Sequence, residues 1–163
     1  MILSVPYVSQ EGVGADQFRN DCGPACVSMV IEYLTGRKVS PDVLARKTKL
    51  PQNKDKGLNA ADLLVLLGAE RVRASARHSL TLQTLKAEID TGRPVILLVN
   101  YKYFGGMPFG HFALLIGYEG NEYVFHDPYK GGPNYRISAD QLLKALTDIK
   151  AFAYFVSQGV LLN

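Results

Sequence analysis

Hydrophobic residues at spacings of three and four dominate the first half of the chain and predict helices. In residues 22–35 the apolar side chains at positions 26, 27, 30, 31 and 34 fall on one face of a helix, which Gly36 is placed to end. Shorter stretches of the same kind follow Ser40, Asn59 and Thr81, which are residue types that cap helix starts. The pattern therefore predicts helices over residues 22–35, 43–49, 60–67 and 82–90, and another near the end of the chain over residues 138–146.

Alternating and continuous apolar runs predict strands, most of them in the second half. Residues 94–100 form a β-branched apolar run that is typical of a buried strand. A hairpin is predicted where two apolar runs flank the turn sequence Glu119-Gly120-Asn121, with the outgoing strand at 111–118 and the returning strand at 122–126. Further strands are predicted at residues 2–8, at residues 71–77 (an edge strand with its arginines in solvent) and at residues 151–157. Gly131-Gly132-Pro133 is interpreted as a turn, and residues 51–58 as a polar loop.

The order of these segments favours one α+β domain over residues 1–163, because helices come first and strands later instead of alternating. The length of 163 residues suits one domain, and the hydrophobic fraction of 47% is enough for a core. No apolar run approaches the roughly 20 residues of a membrane span. The net charge of +3 does not amount to the clustered basic face of a nucleic-acid-binding protein.

Cys22 is the strongest candidate for a reactive residue. It lies at the start of the first predicted helix, where unpaired backbone amides and the helix dipole favour negative charge and so favour a thiolate. Pro24 fits the first turn because it has no amide proton to leave unsatisfied. Asp21 is expected to cap this helix or to order the preceding loop instead of acting in catalysis.

The second cysteine, Cys26, is expected to be a buried small apolar residue inside the helix. A disulfide with Cys22 would strain the helix. Zinc is a rival interpretation with Cys22, Cys26, His111 and His126 as ligands, but their spacing matches no familiar zinc motif. We therefore expect no metal or organic cofactor.

His111 is the candidate base, at the start of a predicted buried strand. Side chains alternate along the returning strand, so His126 and Asp127 point to opposite faces and only one of them can share a face with His111. A carboxylate beside His111 would fix its tautomer and stabilise the imidazolium. Alternation alone does not fix the register of the hairpin, so it leaves open which of the two residues lies beside His111. His126 is expected to be a satisfied sheet residue. His78 is expected to be solvated.

Gln17, five residues before Cys22, is a candidate oxyanion donor. Its amide NH2 can reach the same oxygen as the backbone N–H of Cys22, and two such donors make an oxyanion hole.

Together these residues resemble the C39-like branch of the papain-like cysteine peptidases. The resemblance is carried by Val5-Pro6-Tyr7-Val8-Ser9-Gln10, Gln17, Asp21-Cys22-Gly23-Pro24-Ala25, Gly92-Arg93-Pro94-Val95-Ile96, Gly110-His111 and Asp127-Pro128. It implies a papain-like fold, in which the N-terminal helices pack on an antiparallel sheet. The glutamine of that branch often lies six residues before the cysteine, and here it lies five before it.

The resemblance also implies a function. The chain is expected to be a cysteine peptidase that acts on a peptide or protein substrate through Cys22, His111, Asp127 and Gln17. Two alternatives stay open: the same thiol chemistry in a transpeptidase, amidase or isopeptidase, and a non-enzymatic relative that only binds peptides. An absent signal peptide and an unpaired thiol favour the cytoplasm. The sequence gives no prediction of the oligomeric state.

The aromatic and glycine-rich segment at residues 100–110 precedes His111 directly. It predicts either a substrate wall with a hinge at Gly105-Gly106, or a surface loop whose aromatic rings pack onto the core.

Overall fold

The computed structural model of the protein describes residues 1–10, 21–47, 58–151 and 159–163. Five α-helices are found in these ranges: α1 (Cys22–Thr35), α2 (Pro41–Lys47), α3 (Ala60–Ala69), α4 (Leu82–Asp90) and α5 (Ala139–Thr147). The strands of the same ranges are β1 (Ala74–Arg77), β2 (Val95–Asn100), β3 (Gly110–Glu119), β4 (Glu122–Asp127), β5 (Gly132–Ser138) and β6 (Gly159–Leu162). They form one antiparallel sheet in the order β1-β6-β2-β3-β4-β5.

The sheet carries a hydrophobic core on each face. Alternation along β2 sends Ile96 and Leu98 into a cluster with α1 and α3, and it sends Val95 and Leu97 into a second cluster with α4 and α5. All six residues of β2 are buried for this reason. The prediction of an α+β domain with helices packed on an antiparallel sheet is confirmed.

Helix α1 packs its N-terminal end tightly against the rest of the domain. Nine consecutive residues from Gly23 to Ile31 are buried. A Cβ atom at Gly23 would lie 2.7 Å from Leu63 Cδ2 and 3.4 Å from the Phe112 ring, so any larger residue would force Leu63 to move. At the other end Gly36 adopts a left-handed conformation (φ 71°) and its N–H bonds to Glu32 O. The first turn of α1 is thus fixed against β3.

The predicted helices are all present. The bounds of α1 and α4 agree with the prediction, and α2 begins two residues earlier, at Pro41. Asn59 and Ser138 each cap a helix in a reciprocal capping box, and Thr81 accepts a hydrogen bond from the backbone of Thr84. Helix α3 continues through Gly68, where the sequence predicted its end, to Ala69.

The prediction of a strand over residues 2–8 is wrong. Only Ile2 pairs with the sheet, through an isolated bridge to Gly117. The N–H of Val5 then bonds to the carbonyl of Leu3, which turns the backbone away from β3. Pro6, without an amide proton, follows at once.

Two strands were missed. Strand β5 begins at Gly132 within the predicted turn, and it is an exposed polar edge strand that lacks an alternating apolar signal. Strand β6 is only four residues long. The strand predicted at 151–157 falls mostly outside the described residues, except for Ala151, which ends a 3-10 turn at Asp148–Ala151. Most of the loop predicted at 51–58 also lies outside them.

The remaining strand predictions are confirmed. β1 is an edge strand, shorter than predicted, and Arg71, Arg73 and Arg77 are exposed. β3 and β4 form the predicted hairpin, whose register shifts near Gly117.

Candidate active site

Cys22 is the first residue of α1 and is partly exposed. The tight packing of the next residue, Gly23, fixes the backbone at Cys22. The Cys22 side chain packs against the core cluster that α1 and α3 share. The thiol therefore lies at a helix N-terminus, where the unpaired amides favour an anion.

His111 lies near the start of β3, opposite Val99 of β2, and only 2% of it is exposed. Its Nε2 lies 2.7 Å from Asp127 Oδ1, and the Cys22 side chain is close enough to the ring to raise the pKa of His111. Since Nε2 faces Asp127, Nδ1 is the nitrogen left for the thiol. The structure therefore brings Cys22, His111 and Asp127 together, from the start of α1, the start of β3 and the end of β4.

The electrostatics of this group favour a charged imidazole. Burial by itself lowers the pKa of His111, but the hydrogen bonds to Asp127 and Cys22, together with their charges, raise it to about 9. An imidazolium beside a thiolate is the pairing that activates a cysteine nucleophile.

Asp127 is fully buried and accepts four hydrogen bonds. The donors are His111 Nε2 on Oδ1, the Tyr101 hydroxyl at 2.8 Å on Oδ2, and the backbone N–H groups of Tyr129 and Gly131. Burial works to raise its pKa, but His111 and these other donors hold the pKa below its ordinary value. A Cβ at Gly131 would lie 2.4 Å from Asp127 Oδ2, so glycine is required there. The group is therefore a fixed carboxylate.

Tyr101 is a site residue that sequence reasoning missed. Its ring centroid lies 4.4 Å from that of His111 while its hydroxyl donates to Asp127, so it contacts both. Burial and the Asp127 hydrogen bond raise the pKa of Tyr101, which keeps the phenol protonated as a donor. The sequence feature that could have identified it is its position directly after β2. The pairing of Asn100 with Gly110 ends β2 one residue from His111, and Tyr101 follows at once.

The N-terminal segment contacts the backbone of Asp127 and of the next residue. The Tyr7 hydroxyl donates to the backbone carbonyl of Asp127 at 3.0 Å, and the N–H of Gln10 donates to the backbone carbonyl of Pro128 at 2.7 Å. These contacts hold residues 7–10 across the end of β4.

His126 does not share the site with His111. Its Nε2–H donates to Val5 O at 2.8 Å, and its Nδ1 accepts from the N–H of Asn134. Burial lowers its pKa, so it stays neutral. Both nitrogens are occupied by backbone groups, which leaves neither for a zinc ion. Across the described ranges, no three His, Cys, Asp or Glu side chains are grouped as metal ligands would be.

Asp21 departs from its predicted role in capping. Its backbone carbonyl accepts from the N–H of Ala25, but its side chain makes no cap hydrogen bond. The carboxyl is buried, and burial, together with repulsion from Asp42, raises its pKa to about 7. A capping role would need the side chain to turn back towards the amides of the first turn.

The remaining predicted residues are quickly placed. Cys26 is fully buried, and this burial raises the pKa of its thiol well above the ordinary value. His78 is exposed. Gln17 lies outside the described residues.

Helices packed on an antiparallel sheet, with Cys22 at a helix start facing His111 on a strand, correspond to the papain-like fold. The sequence model of the Peptidase_C39 like family matches residues 2–158, and the chain belongs to that family. No curated protein sequence matches the chain.

Solved structures share the fold at low sequence identity. One is a C39-like protein from Bacillus anthracis whose peptidase activity is inferred, with TM-score 0.75, 15% identity and coverage of 99% of this chain and 96% of that one. Another is the peptidase domain of Streptococcus ComA, a bifunctional ABC transporter of a quorum-sensing pathway, with TM-score 0.65, 20% identity and coverage of 88% and 90%. A third is a double-glycine-motif protease of an AMS/PCAT transporter in complex with its leader peptide, with TM-score 0.65, 17% identity and coverage of 99% and 92%.

In the part of the chain that the structure describes, no helix has both the length and the apolar character needed to cross a bilayer.

Proposed function

We propose that this protein is a cysteine peptidase that hydrolyses peptide bonds through Cys22, His111 and Asp127. The observation that supports the proposal most directly is the hydrogen bond between His111 Nε2 and Asp127 Oδ1 at 2.7 Å, beside a Cys22 side chain close enough to raise the pKa of the same ring. A leader peptide occupies the related transporter protease, which favours a peptide substrate here as well.

The first half of the reaction forms an acyl-enzyme. The Cys22 thiolate attacks the carbonyl carbon of the scissile bond, and the oxyanion is held by the backbone N–H of Cys22 with Gln17 as the second donor. The His111 imidazolium gives its proton to the amine nitrogen as the C–N bond breaks. The first product leaves and a thioester remains.

The second half restores the enzyme. Neutral His111 takes a proton from water, whose oxygen attacks the thioester carbonyl. The C–S bond breaks, the acid product leaves, and the thiolate returns beside the imidazolium. Asp127 keeps the ring in the tautomer and orientation that both steps need.

Labelling of Cys22 tests the nucleophile. We expect a peptidyl electrophile to label the wild-type protein and Cys26→Ala, and to leave Cys22→Ala unlabelled. Cys26→Ala is a matched control because it removes the other, buried thiol. Labelling that survives Cys22→Ala would contradict the assignment.

A His111 variant tests the pairing of thiol and imidazole. Because an adjacent base activates a cysteine nucleophile, His111→Ala should slow alkylation of Cys22. An unchanged alkylation rate would count against activation by His111.

Products formed from a diverse peptide library then separate hydrolysis from related thiol chemistry. Mass spectrometry of a hydrolase digest shows new free carboxyl ends, whereas a transpeptidase joins the acyl part to another amine. A protein that labels at Cys22 yet yields neither product would be a peptide-binding relative.

A further inference from the structure

An open pocket of about 540 Å³ lies beside His111 on the side of the 3-10 turn that follows β2. Its walls are largely aromatic: Tyr101, Phe104, Phe109, Tyr129 and Tyr135. Gly105 and Gly106 complete one wall without side chains of their own. The volume falls in the range of small-ligand sites, which are concave and mostly apolar.

Three of the rings that line the pocket lie beside the candidate base. Ring centroids of Tyr101, Phe109 and Tyr129 lie 4.4, 6.3 and 6.3 Å from that of His111. Tyr101 belongs to the core cluster on the α5 face of the sheet, whereas Cys22 packs against the cluster on the α1 face. The imidazole thus has the thiol on one side and the aromatic pocket on the other.

The reaction decides which part of a substrate meets this pocket. The leaving amine must lie at His111, because it takes its proton from that ring. The residue that carries this amine is therefore held against His111, and three of the aromatic rings that line the pocket lie beside the same imidazole.

We propose that this pocket binds the side chain of the residue immediately after the scissile bond, and that it selects a large apolar side chain such as leucine, methionine or phenylalanine. The inference rests on the proposed peptidase function and extends it to a substrate class.

The exposed apolar walls of the pocket and the positive charge at its rim favour a large apolar side chain as the occupant. Phe109 and Met107 are 40% and 69% exposed, which leaves apolar surface uncovered next to the base. Lys130 is exposed at the rim with its Nζ 5.4 Å from the Tyr129 ring centroid, so it repels lysine or arginine at the same position.

The test uses peptides that share one cleaved sequence and differ only in the residue after the scissile bond. We expect kcat/KM for leucine or phenylalanine to exceed that for glycine by about tenfold, as partial burial of one such side chain allows, and lysine to be cleaved no better than glycine. In Phe109→Ala the leucine-to-glycine ratio should fall at least threefold. Because a general defect in His111 affects both peptides alike, the ratio isolates the pocket.

Two further variants keep the test sharp. Met107→Ala removes a wall residue that is mostly exposed, so it reports on the pocket if Phe109→Ala fails to fold. Leu34→Ala is the matched control, since Leu34 is 46% exposed but lies in the last turn of α1, and it should leave the ratio unchanged.

The outcomes separate the two proposals. Cleavage and Cys22 labelling with no apolar preference, or with a preference that both wall variants retain, would overturn the pocket and leave the peptidase standing. Absence of both cleavage and Cys22 labelling would overturn the peptidase, and the pocket inference would fall with it.

Discussion

Asp127 accepts more hydrogen bonds than the orientation of His111 alone requires. Three donors besides His111 fix its two oxygens, and two of these are backbone groups that mutation cannot easily remove. Tyr101 is the third, and it is the one side-chain donor that can be varied without touching the three candidate catalytic residues. It is best described as a positioning residue.

Tyr101→Phe should therefore lower turnover while the fold survives. Loss of one hydrogen bond to a carboxylate costs about 1.5–3 kcal/mol, which corresponds to a fall in kcat/KM of about tenfold or more. With one donor fewer, the pKa of Asp127 rises, so the acid limb of the pH–rate profile should move to higher pH. Measurement of kcat/KM across pH checks both effects.

Tyr103→Phe is the matched control for this prediction. It makes the same change two residues away, where the hydroxyl donates to Asp148 outside the site. Equal effects of the two substitutions on the pH profile, or an unchanged profile in Tyr101→Phe, would show that Tyr101 does not act through Asp127.

Tyr101 also shows what single-residue reasoning could not supply. Cys22, His111 and Asp127 are marked by chemistry that the sequence displays, such as a thiol at a helix start and a histidine at a strand start. Tyr101 is one of many aromatic residues, and only the register between β2 and β3 distinguishes it. Register depends on which residues face each other across strands, and this is a property of the assembled sheet.

At the scale of secondary-structure elements, the turn after β2 packs its Gly106 directly against the Tyr101 ring. A Cβ at Gly106 would lie 2.1 Å from Cδ1 of the Tyr101 ring, which is itself 1% exposed. The glycine is therefore part of what holds the ring between His111 and Asp127.

Gly106→Ala should displace Tyr101 and lower the free energy of unfolding by about 1–3 kcal/mol, the usual cost of overpacking. Activity should fall with it. Gly68→Ala serves as the control, because a Cβ there meets nothing within 4 Å inside α3. That substitution should instead stabilise the protein by roughly 0.5–1 kcal/mol, because alanine favours a helix over glycine. Urea unfolding distinguishes the two, and a stable Gly106→Ala would contradict the packing argument.

Sequence reasoning succeeded best where an element carries its own signals. Helices α1 and α4 have periodic apolar faces and identifiable ends, so their bounds were predicted. Strands β5 and β6 lack such signals, because the first is polar and exposed and the second is short. In the segment at 100–110, Tyr101 and Phe104 pack in the core, as the loop alternative predicted, while Met107 and Phe109 stay exposed. The substrate wall with a hinge at Gly105-Gly106 stays a prediction.

For the molecule as a whole, the buried Asp21 carboxyl makes stability depend on pH. Asp21 binds its proton up to about pH 7 when folded, against an ordinary value of 3.8. Between these values the folded state holds this proton and the unfolded state has lost it, so the contribution of Asp21 to stability falls as pH rises.

This contribution lowers the midpoint of urea unfolding as pH rises from 5 to 7. Asp21→Asn should flatten the part between pH 5 and 7, because it removes the ionisation that costs stability there. Asp140→Asn, an exposed residue in the first turn of α5, should keep the wild-type slope. If Asp21→Asn retained the wild-type slope, the buried Asp21 carboxyl would not be its source.

The hold of the N-terminal segment on the end of β4 has a consequence for the order of events during folding. Tyr7 reaches the backbone of Asp127 across 120 residues of sequence, and a contact between such distant positions forms only after the intervening chain is organised. In a partly folded or newly made chain the Cys22 sulfur therefore lacks the aligned His111 and Asp127 that the proposed mechanism needs. The proposed activity would then arise only in the completed native state.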